Sequence, residues 1–360
     1  MNSSSFFYRY ALASHDYVKV KSVRMVGLVL TVFSLRQHVE HLREIQVETT
    51  RTGVYGLWGN KGAVTIRLKV YGCSLCFVNS HLAPHDNNLK DRIEDYETIL
   101  TDQKFTSNDA TQIMYHDYIF WFGDLNFRIN DHVRYSSLEI QRQVNLARKK
   151  EGDFKELLKN DQLRQVMGEG LAFNGLSEGD IEFPPTYKFF LNSMEYDLKR
   201  RPAWTDRILY KVNEDAYENI KLELTQDSYR SIESYGISDH KPVASRFTIK
   251  VIPKYLNHLL RLLKIAFTNT LQSMTHVELI AYKKIFNRPP DKVGIQAFWC
   301  MLLLKISCSI ELVSQSLNSR INKTISVRSY SQYFVLHRSF IESFDENSIM
   351  LKFAPLDNYH

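Results

Sequence analysis

The sequence predicts a layered α/β fold in one large domain, followed by an extension. Three observations carry this expectation. Short apolar runs of strand length recur up to residue 252, segments with helical spacing lie between them, and the texture changes beyond Pro253. A chain of 360 residues with 44% hydrophobic content also has the material for a substantial core.

The first strand expected is the run MVGLVLTVF at 25–33, apolar enough to be buried. Residues 64–70, VTIRLKV, alternate apolar with polar side chains. Tyr71-Gly72 then turns the chain into the more uniformly apolar CSLCFVNSHL. That pattern predicts an antiparallel hairpin whose second strand is covered on both faces. Leu89, Ile93, Tyr96 and Leu100 recur at helical spacing, so 87–100 reads as a helix; 118–122 and 243–252 read as strands, the second closing the domain. The boundary falls near 250. Residues 251–360 form an extension, partly helical, that opens on the basic amphipathic stretch YLNHLLRLLKIAF and holds no site-like cluster.

Forty-six Lys and Arg against 40 Asp and Glu leave a charge of +6, which suits an anionic partner but excludes little. Four cysteines, with no signal-like run at the start of the sequence, lead to the expectation of a reducing, cytosolic setting. Cys73 and Cys76 lie in a strand-like run with no second pair. Residues three apart on a strand face opposite sides, so these read as core thiols, not metal ligands. The longest apolar stretch, 297–304, falls short of the roughly 20 residues that a bilayer span needs.

Four stretches end strand-like runs with chemically capable groups: Asn79-Ser80-His81, Gly123-Asp124-Leu125-Asn126, Trp204-Thr205-Asp206-Arg207 and Ser238-Asp239-His240. Strand ends are rigid mounts beside open loops, which is where layered folds present their sites. Singly, each stretch has an ordinary reading as a turn, a cap or a local ion pair. Phosphate ester hydrolysis needs a positioned water with a base, donors for the developing charge and usually a divalent cation, and together these residues supply most of that list. Asp124 and Asn126, two apart on an extended backbone, point the same way; Arg128 shares that face if the strand continues, and reads as structural.

In order, WGNKGAV, NSHLAPH, FWFGDLNFRI, PPTYKF, RPAWTDRIL and SDHKPV resemble the inositol polyphosphate 5-phosphatases, with the similarity running over residues 17–248. The resemblance implies a DNase I-like (endonuclease/exonuclease/phosphatase) α/β sandwich of two β-sheets flanked by helices. It also implies removal of the 5-phosphate from inositol phosphates or phosphoinositide lipids by activated water, with Mg²⁺ as cofactor. On the matching positions, Asp124 orients and deprotonates the water and Asn126 donates to the phosphoryl oxygens. His240, oriented by Asp206, contacts the scissile phosphate. His81 and Asp239 complete the phosphate and metal environment, with Asp239 as the candidate metal ligand. Tyr187, Lys188 and Arg200 face the 4-phosphate, Asn60 and Lys61 lie toward the 1-phosphate, and Arg207 joins the substrate-binding set.

Two departures from the family pattern follow. The Trp-Asn and Gln-Glu motifs, whose Asn and Glu help bind Mg²⁺, do not occur upstream of WGNKG, and Asp16, Glu44 and Glu48 have no spacing that replaces them. Residues 1–250 therefore read as a catalytic domain incomplete at its N-terminus, with unpaired sheet edges. In the 4-phosphate loop, Leu198 stands where the family has lysine, while Arg200 keeps the arginine position. The expected partners are phosphoinositide lipids or soluble inositol polyphosphates, at the cytoplasmic side of a membrane and without nucleic acid. The rival expectation is a catalytically silent phosphoinositide-binding protein that keeps Tyr187, Lys188 and Arg200 without the Mg²⁺ ligands.

Overall fold

The hairpin expected at Tyr71-Gly72 is the nucleus of a six-stranded sheet. The computed structural model describes residues 12, 15–53, 58–107, 109–150, 152–218 and 220–251, together with the backbone of 324–330 and 333–336. Strands β4 (Trp58–Val70) and β5 (Cys73–His81) pair antiparallel from Val70↔Cys73 to Gly62↔His81. Tyr71 at φ 49 and Gly72 at φ 92 supply the two left-handed positions of a tight hairpin turn. With β3 (Leu42–Gly53), β6 (Tyr118–Asp124), β7 (Ser177–Glu178) and β8 (Asp206–Val212), the sheet order is β3-β4-β5-β6-β8-β7. The β5–β6 pair is parallel, and its crossover carries helix α1 (Leu89–Asp102).

Both faces of β5 and β6 are covered, which is why Leu75–Val78 and Tyr118–Phe122 are continuous apolar runs. Cys76, Val78, Ile119 and Trp121 join a cluster with Tyr96 and Ile99 of α1, Phe173, and Leu163 and Val166 of the short helix Gln162–Gly168. The Trp121 ring lies 5.2 Å from Tyr96 and 5.4 Å from Phe173, and its Nε1–H donates to Ser80 Oγ at 2.9 Å. A fully buried indole needs such a partner. Phe77 and Phe120 alternate to the other face, where Phe120 packs 5.0 Å from Phe247 of a second sheet. Cys73 and Cys76 are free and buried.

That second layer holds β9 (Leu224–Ser231) and β10 (Val243–Lys250), extended by β11 (Thr324–Tyr330) and β12 (Tyr333–Leu336) in the order β12-β11-β10-β9. Strands β11 and β12 lie within the expected extension. β11 pairs with β10 from Ala244↔Tyr330 to Lys250↔Thr324 and satisfies an otherwise open edge. The two compact units are Met1–Val251 with Thr324–His360, and Ile252–Lys323. The basic stretch at 255–267 and the apolar stretch at 297–304 lie outside the described residues. No helix of the described residues is long and apolar enough to cross a membrane.

The expected single strand at 25–33 is corrected. β1 (Tyr17–Met25) and β2 (Leu28–Leu35) form a hairpin, with Gly27 at φ 76 in the turn and Val26 70% exposed at its tip. An apolar run long enough for one strand hides the turn because Val26 is apolar yet faces water.

Arg207 sits at the centre of a buried ion triad. Its Nη1 lies 2.9 Å from Asp161 Oδ1, its Nε donates to Glu178 Oε1 at 2.7 Å, and the Tyr229 hydroxyl donates to the same carboxylate at 3.0 Å. All three charged side chains are buried. Breaking such a group leaves an uncompensated charge, so Glu178→Ala is expected to cost about 3–5 kcal/mol of stability, read from denaturant midpoints. An unchanged midpoint would mean that the triad is open to water.

Candidate active site

Three neighbouring strands bring their polar ends into one row. His81 of β5 pairs with Asp124 of β6, and Asp124 pairs with Asp206 of β8. Register partners on adjacent strands share a face, so the row points its side chains to one side. His81 Nε2 lies 3.2 Å from Asp124 Oδ2. Gly123 allows this close approach: its φ is 128, and a Cβ there would fall 2.1 Å from the Ser80 carbonyl oxygen.

Beyond Asp124 the strand ends, and the extended backbone expected through Asn126 is not present. Asn126 has φ 57, a left-handed conformation that asparagine tolerates. Its backbone N–H donates to Asp124 Oδ1 at 3.1 Å. Its Nδ2 donates to Asp124 Oδ2 and to the Leu82 carbonyl, each at 3.1 Å. Both amide hydrogens are thus committed within the protein, and Asn126 holds Asp124 in place. Arg128, expected to be structural, does more. It donates through Nη2 to Asn126 Oδ1, lies 4.8 Å over the Tyr187 ring, and lines the pocket.

Asp206 receives hydrogen bonds from the hydroxyls of Thr186 at 2.8 Å and Thr205 at 2.9 Å, and faces His240 Nδ1 at 2.9 Å. That leaves Nε2 as the His240 nitrogen able to meet an anion. Burial alone would push the His240 pKa down. The charge and hydrogen bond of Asp206 outweigh it, with Asp124 and Asp239 adding, and the pKa is pushed up to about 9. Burial likewise works to raise the Asp124 pKa, but His81, then His240 and Arg128, hold it well below the usual carboxylate range. The pair is an imidazolium beside a carboxylate.

The loop after His81 is held by α1 from below. Asp95 Oδ2 accepts from the Ala83 N–H at 2.8 Å, and Arg92 Nη1 donates to the carbonyls of Ala83 at 3.1 Å and His85 at 2.7 Å. Gln162 Oε1 accepts from Arg92 at 2.7 Å and from the Arg128 N–H at 3.0 Å, tying this loop to the Asp124 turn. His85 and Asp86 line the pocket as a result. His85 ends NSHLAPH and Asp86 follows it, and nothing in the spacing of either marks a site residue.

PPTYKF is stitched between the remaining motifs. Tyr187 exchanges backbone hydrogen bonds with Ala203 of RPAW at 3.0 and 3.2 Å, Lys241 N–H donates to the Thr186 carbonyl at 2.8 Å, and the Phe189 N–H donates to the Asp239 carbonyl at 2.9 Å. His81, Asp124, Asn126, Arg128, Tyr187, Arg200, Asp239 and His240 consequently surround one cavity of 220 Å³. Lys188 Nζ pairs with Asp239 Oδ2 at 3.2 Å at its edge. Lys61 is partly buried; burial lowers its pKa against the opposing charges of Asp124 and Asp95, which places its ammonium near the row. Asn60 is exposed and does not line the cavity. Arg207, expected to bind substrate, does not either: its guanidinium is consumed by Asp161 and Glu178.

Among the described residues the donor set does not fit a magnesium ion, which demands hard oxygen donors in a tight octahedron. Among the described residues, no group of three or more carboxylate, His or Cys side chains converges to hold a metal. Asp239 is paired with Lys188, and both Asp124 oxygens are engaged by Asn126 and His81. Glu44 is bound by Arg67 at 3.0 Å and Lys69 at 2.8 Å, and Asp16 by Arg36 at 3.1 Å. Asp239, the candidate metal ligand, is engaged by Lys188 in this structure.

Comparison with known proteins follows the same motifs. Residues 7–246 match Endonuclease/Exonuclease/phosphatase family 2. The chain is 40% identical over 251 residues to phosphatidylinositol 4,5-bisphosphate 5-phosphatase A of Rattus norvegicus, covering 67% of this chain and 24% of that protein. It is 40% identical over 254 residues to inositol polyphosphate 5-phosphatase K of Mus musculus, covering 67% and 53%. The chain thus spans 24% and 53% of these relatives' lengths. The fold matches the inositol polyphosphate 5-phosphatase domain of SPsynaptojanin in complex with inositol (1,4)-bisphosphate and calcium ion. The TM-score is 0.59 and the identity 31%, with 75% of each chain covered.

A raised His240 pKa contributes stability that is complete below the unfolded value of about 6.5 and is lost as pH rises through about 9. Imidazole proton NMR against pH is expected to show His240 titrating near 9 in the native chain. In Asp206→Asn it is expected to move down toward about 6.5. A titration that stays in place in the variant would mean that Asp206 does not set the charge of His240.

Proposed function

The chain belongs to the inositol polyphosphate 5-phosphatases of endonuclease/exonuclease/phosphatase family 2, and from that membership we propose that it hydrolyses the 5-phosphate of phosphoinositides or inositol polyphosphates. The observation that carries the proposal is convergence: residues from NSHLAPH, FWFGDLNFRI, PPTYKF and SDHKPV, with Arg200 before RPAW, line one cavity. In the proposed reaction a water molecule attacks phosphorus and the bond from phosphorus to the ring oxygen breaks. The water's proton is returned to the ring oxygen, and the products are inorganic phosphate and the alcohol. Asp124, ionised by its cationic neighbours, accepts a hydrogen bond from the water and orients it, with Asn126 fixing the carboxylate. His240, charged and aimed by Asp206, and Arg128 and Arg200 face the growing negative charge. Tyr187, Lys188 and Arg200 are the proposed contacts to the neighbouring phosphate.

The Mg²⁺ implied by the family has no ligand set among the described residues, and that observation favours the second reading, a phosphoinositide binder without turnover. Either protein would work at the cytoplasmic face of a membrane. The free thiols of Cys73 and Cys76 suit that reducing setting.

Release of phosphate from short-chain phosphatidylinositol 4,5-bisphosphate, with added Mg²⁺ and with a chelator, separates the two. The enzyme reading predicts release that falls roughly 10²–10⁴-fold in Asp124→Ala, the range for loss of a positioned acid–base group. A folded chain that binds the lipid and releases nothing under either condition would establish the silent binder.

A further inference from the structure

Three acids line the cavity beside Arg128, Arg200 and His240. Two already have a place in the site: Asp124 is held by Asn126 and His81, and Asp239 is paired with Lys188. Asp86 is the third. Its Oδ2 lies 3.2 Å from Arg201 Nη1 and 3.7 Å from His132 Nδ1. Among the described residues no donor meets its Oδ1.

The loop that carries Asp86 is fixed from several sides. His85 has φ 74, a left-handed conformation that a β-carbon disfavours, and its carbonyl accepts from Arg92 Nη1 at 2.7 Å. The Asp86 carbonyl accepts from Arg92 Nη2 and from Gln162 Nε2, each at 3.4 Å. Arg201 is held in turn: its Nε donates to the Tyr135 carbonyl at 2.8 Å, and its side chain is largely buried. Arg201 does not itself line the cavity, whereas Asp86 does. A bound ring therefore meets the carboxylate and not its counter-ion. A carboxylate accepts hydrogen bonds and donates none, so it can take a hydroxyl but has nothing to offer a phosphate oxygen.

Chain order says which hydroxyl. Arg200, the proposed contact to the 4-phosphate, is followed directly by Arg201, which holds Asp86. Asp86 thus lies on the Arg200 side of the cavity. On the ring, the carbon beyond the 4-phosphate and away from the 5-phosphate is carbon 3. We propose that Asp86 Oδ1 accepts the 3-hydroxyl of the bound inositol ring. Asp86 is then a specificity-determining residue: it admits rings with a free 3-hydroxyl and opposes rings phosphorylated at that carbon, because the added phosphate would face a like charge. The assignment rests on the phosphoinositide reading for what occupies the cavity, and it needs no turnover.

Calorimetric titration of the full chain with inositol 1,4,5-trisphosphate and with inositol 1,3,4,5-tetrakisphosphate tests it, in a chelator so that a Mg²⁺-dependent reaction does not consume either ligand. The native chain is expected to bind the trisphosphate at least about tenfold more tightly, the mark of an opposing like charge. Asp86→Asn keeps the shape and removes the charge, and is expected to close most of that gap by strengthening tetrakisphosphate binding. Asp86→Ala also removes the acceptor, and is expected to weaken trisphosphate binding by roughly tenfold, the scale of one hydrogen bond to a charged group. Asp91→Asn, which removes the same charge from an exposed position on α1, is expected to leave both affinities as in the native chain. A gap that persists in Asp86→Asn, or trisphosphate binding that survives Asp86→Ala, would overturn the role of Asp86 while the reading of the cavity stands. Relief in Asp86→Asn for inositol 1,4,5,6-tetrakisphosphate instead would move the contact to another hydroxyl and overturn it equally. A folded native chain that binds neither ligand would sink the phosphoinositide reading, and this assignment with it.

Discussion

One row of strand register holds the site together: His81, Asp124 and Asp206 are partners across β5, β6 and β8. Side chains alternate along a strand, so a slip of one residue would turn Asp124 away from His81 and toward the opposite face. Burial forbids that slip. Cys76, Val78, Ile119 and Trp121 are committed to the helical side, and Phe77 and Phe120 to the second sheet. Each such side chain gains roughly 1.5–3 kcal/mol from burial, so the core that stabilises the sheet also sets where the chemistry lies.

The electrostatics follow from the row. Asp124 is ringed by His81, His240 and Arg128, and stays ionised although it is drawn into the protein. His240 stays charged for the complementary reason, with Asp206 behind it and two hydroxyls holding Asp206 in turn. The cations therefore belong to the protein itself and converge on the cavity that Arg200 and Tyr187 complete. Buried polar scaffolding makes this possible: Arg92 and Gln162 join the loop after His81 to the turn after Asp124. A phosphate-sized anion meets donors that are already oriented.

Much of this was legible in the sequence, and the failures have physical causes. Uniformly apolar strands, the Tyr71-Gly72 turn and the helix through Tyr96 each follow from periodicity and turn chemistry. The turn at Gly27 was hidden because its exposed neighbour is valine. Asn126 was placed correctly beside Asp124 for the wrong reason: the strand stops, and a left-handed residue folds the amide back. Arg207 carries a motif position, yet its partners Asp161 and Glu178 are 46 and 29 residues distant, and no local pattern announces a buried triad. The pairing of β11 with β10 is equally non-local.

The most direct test of the account is phosphorus NMR of inositol 1,4,5-trisphosphate incubated with the full chain, read for which phosphate is released. The account predicts loss of the 5-phosphate signal and the appearance of inorganic phosphate, with the other two esters intact. Release of a different phosphate, or no interaction with the headgroup at all, would contradict it.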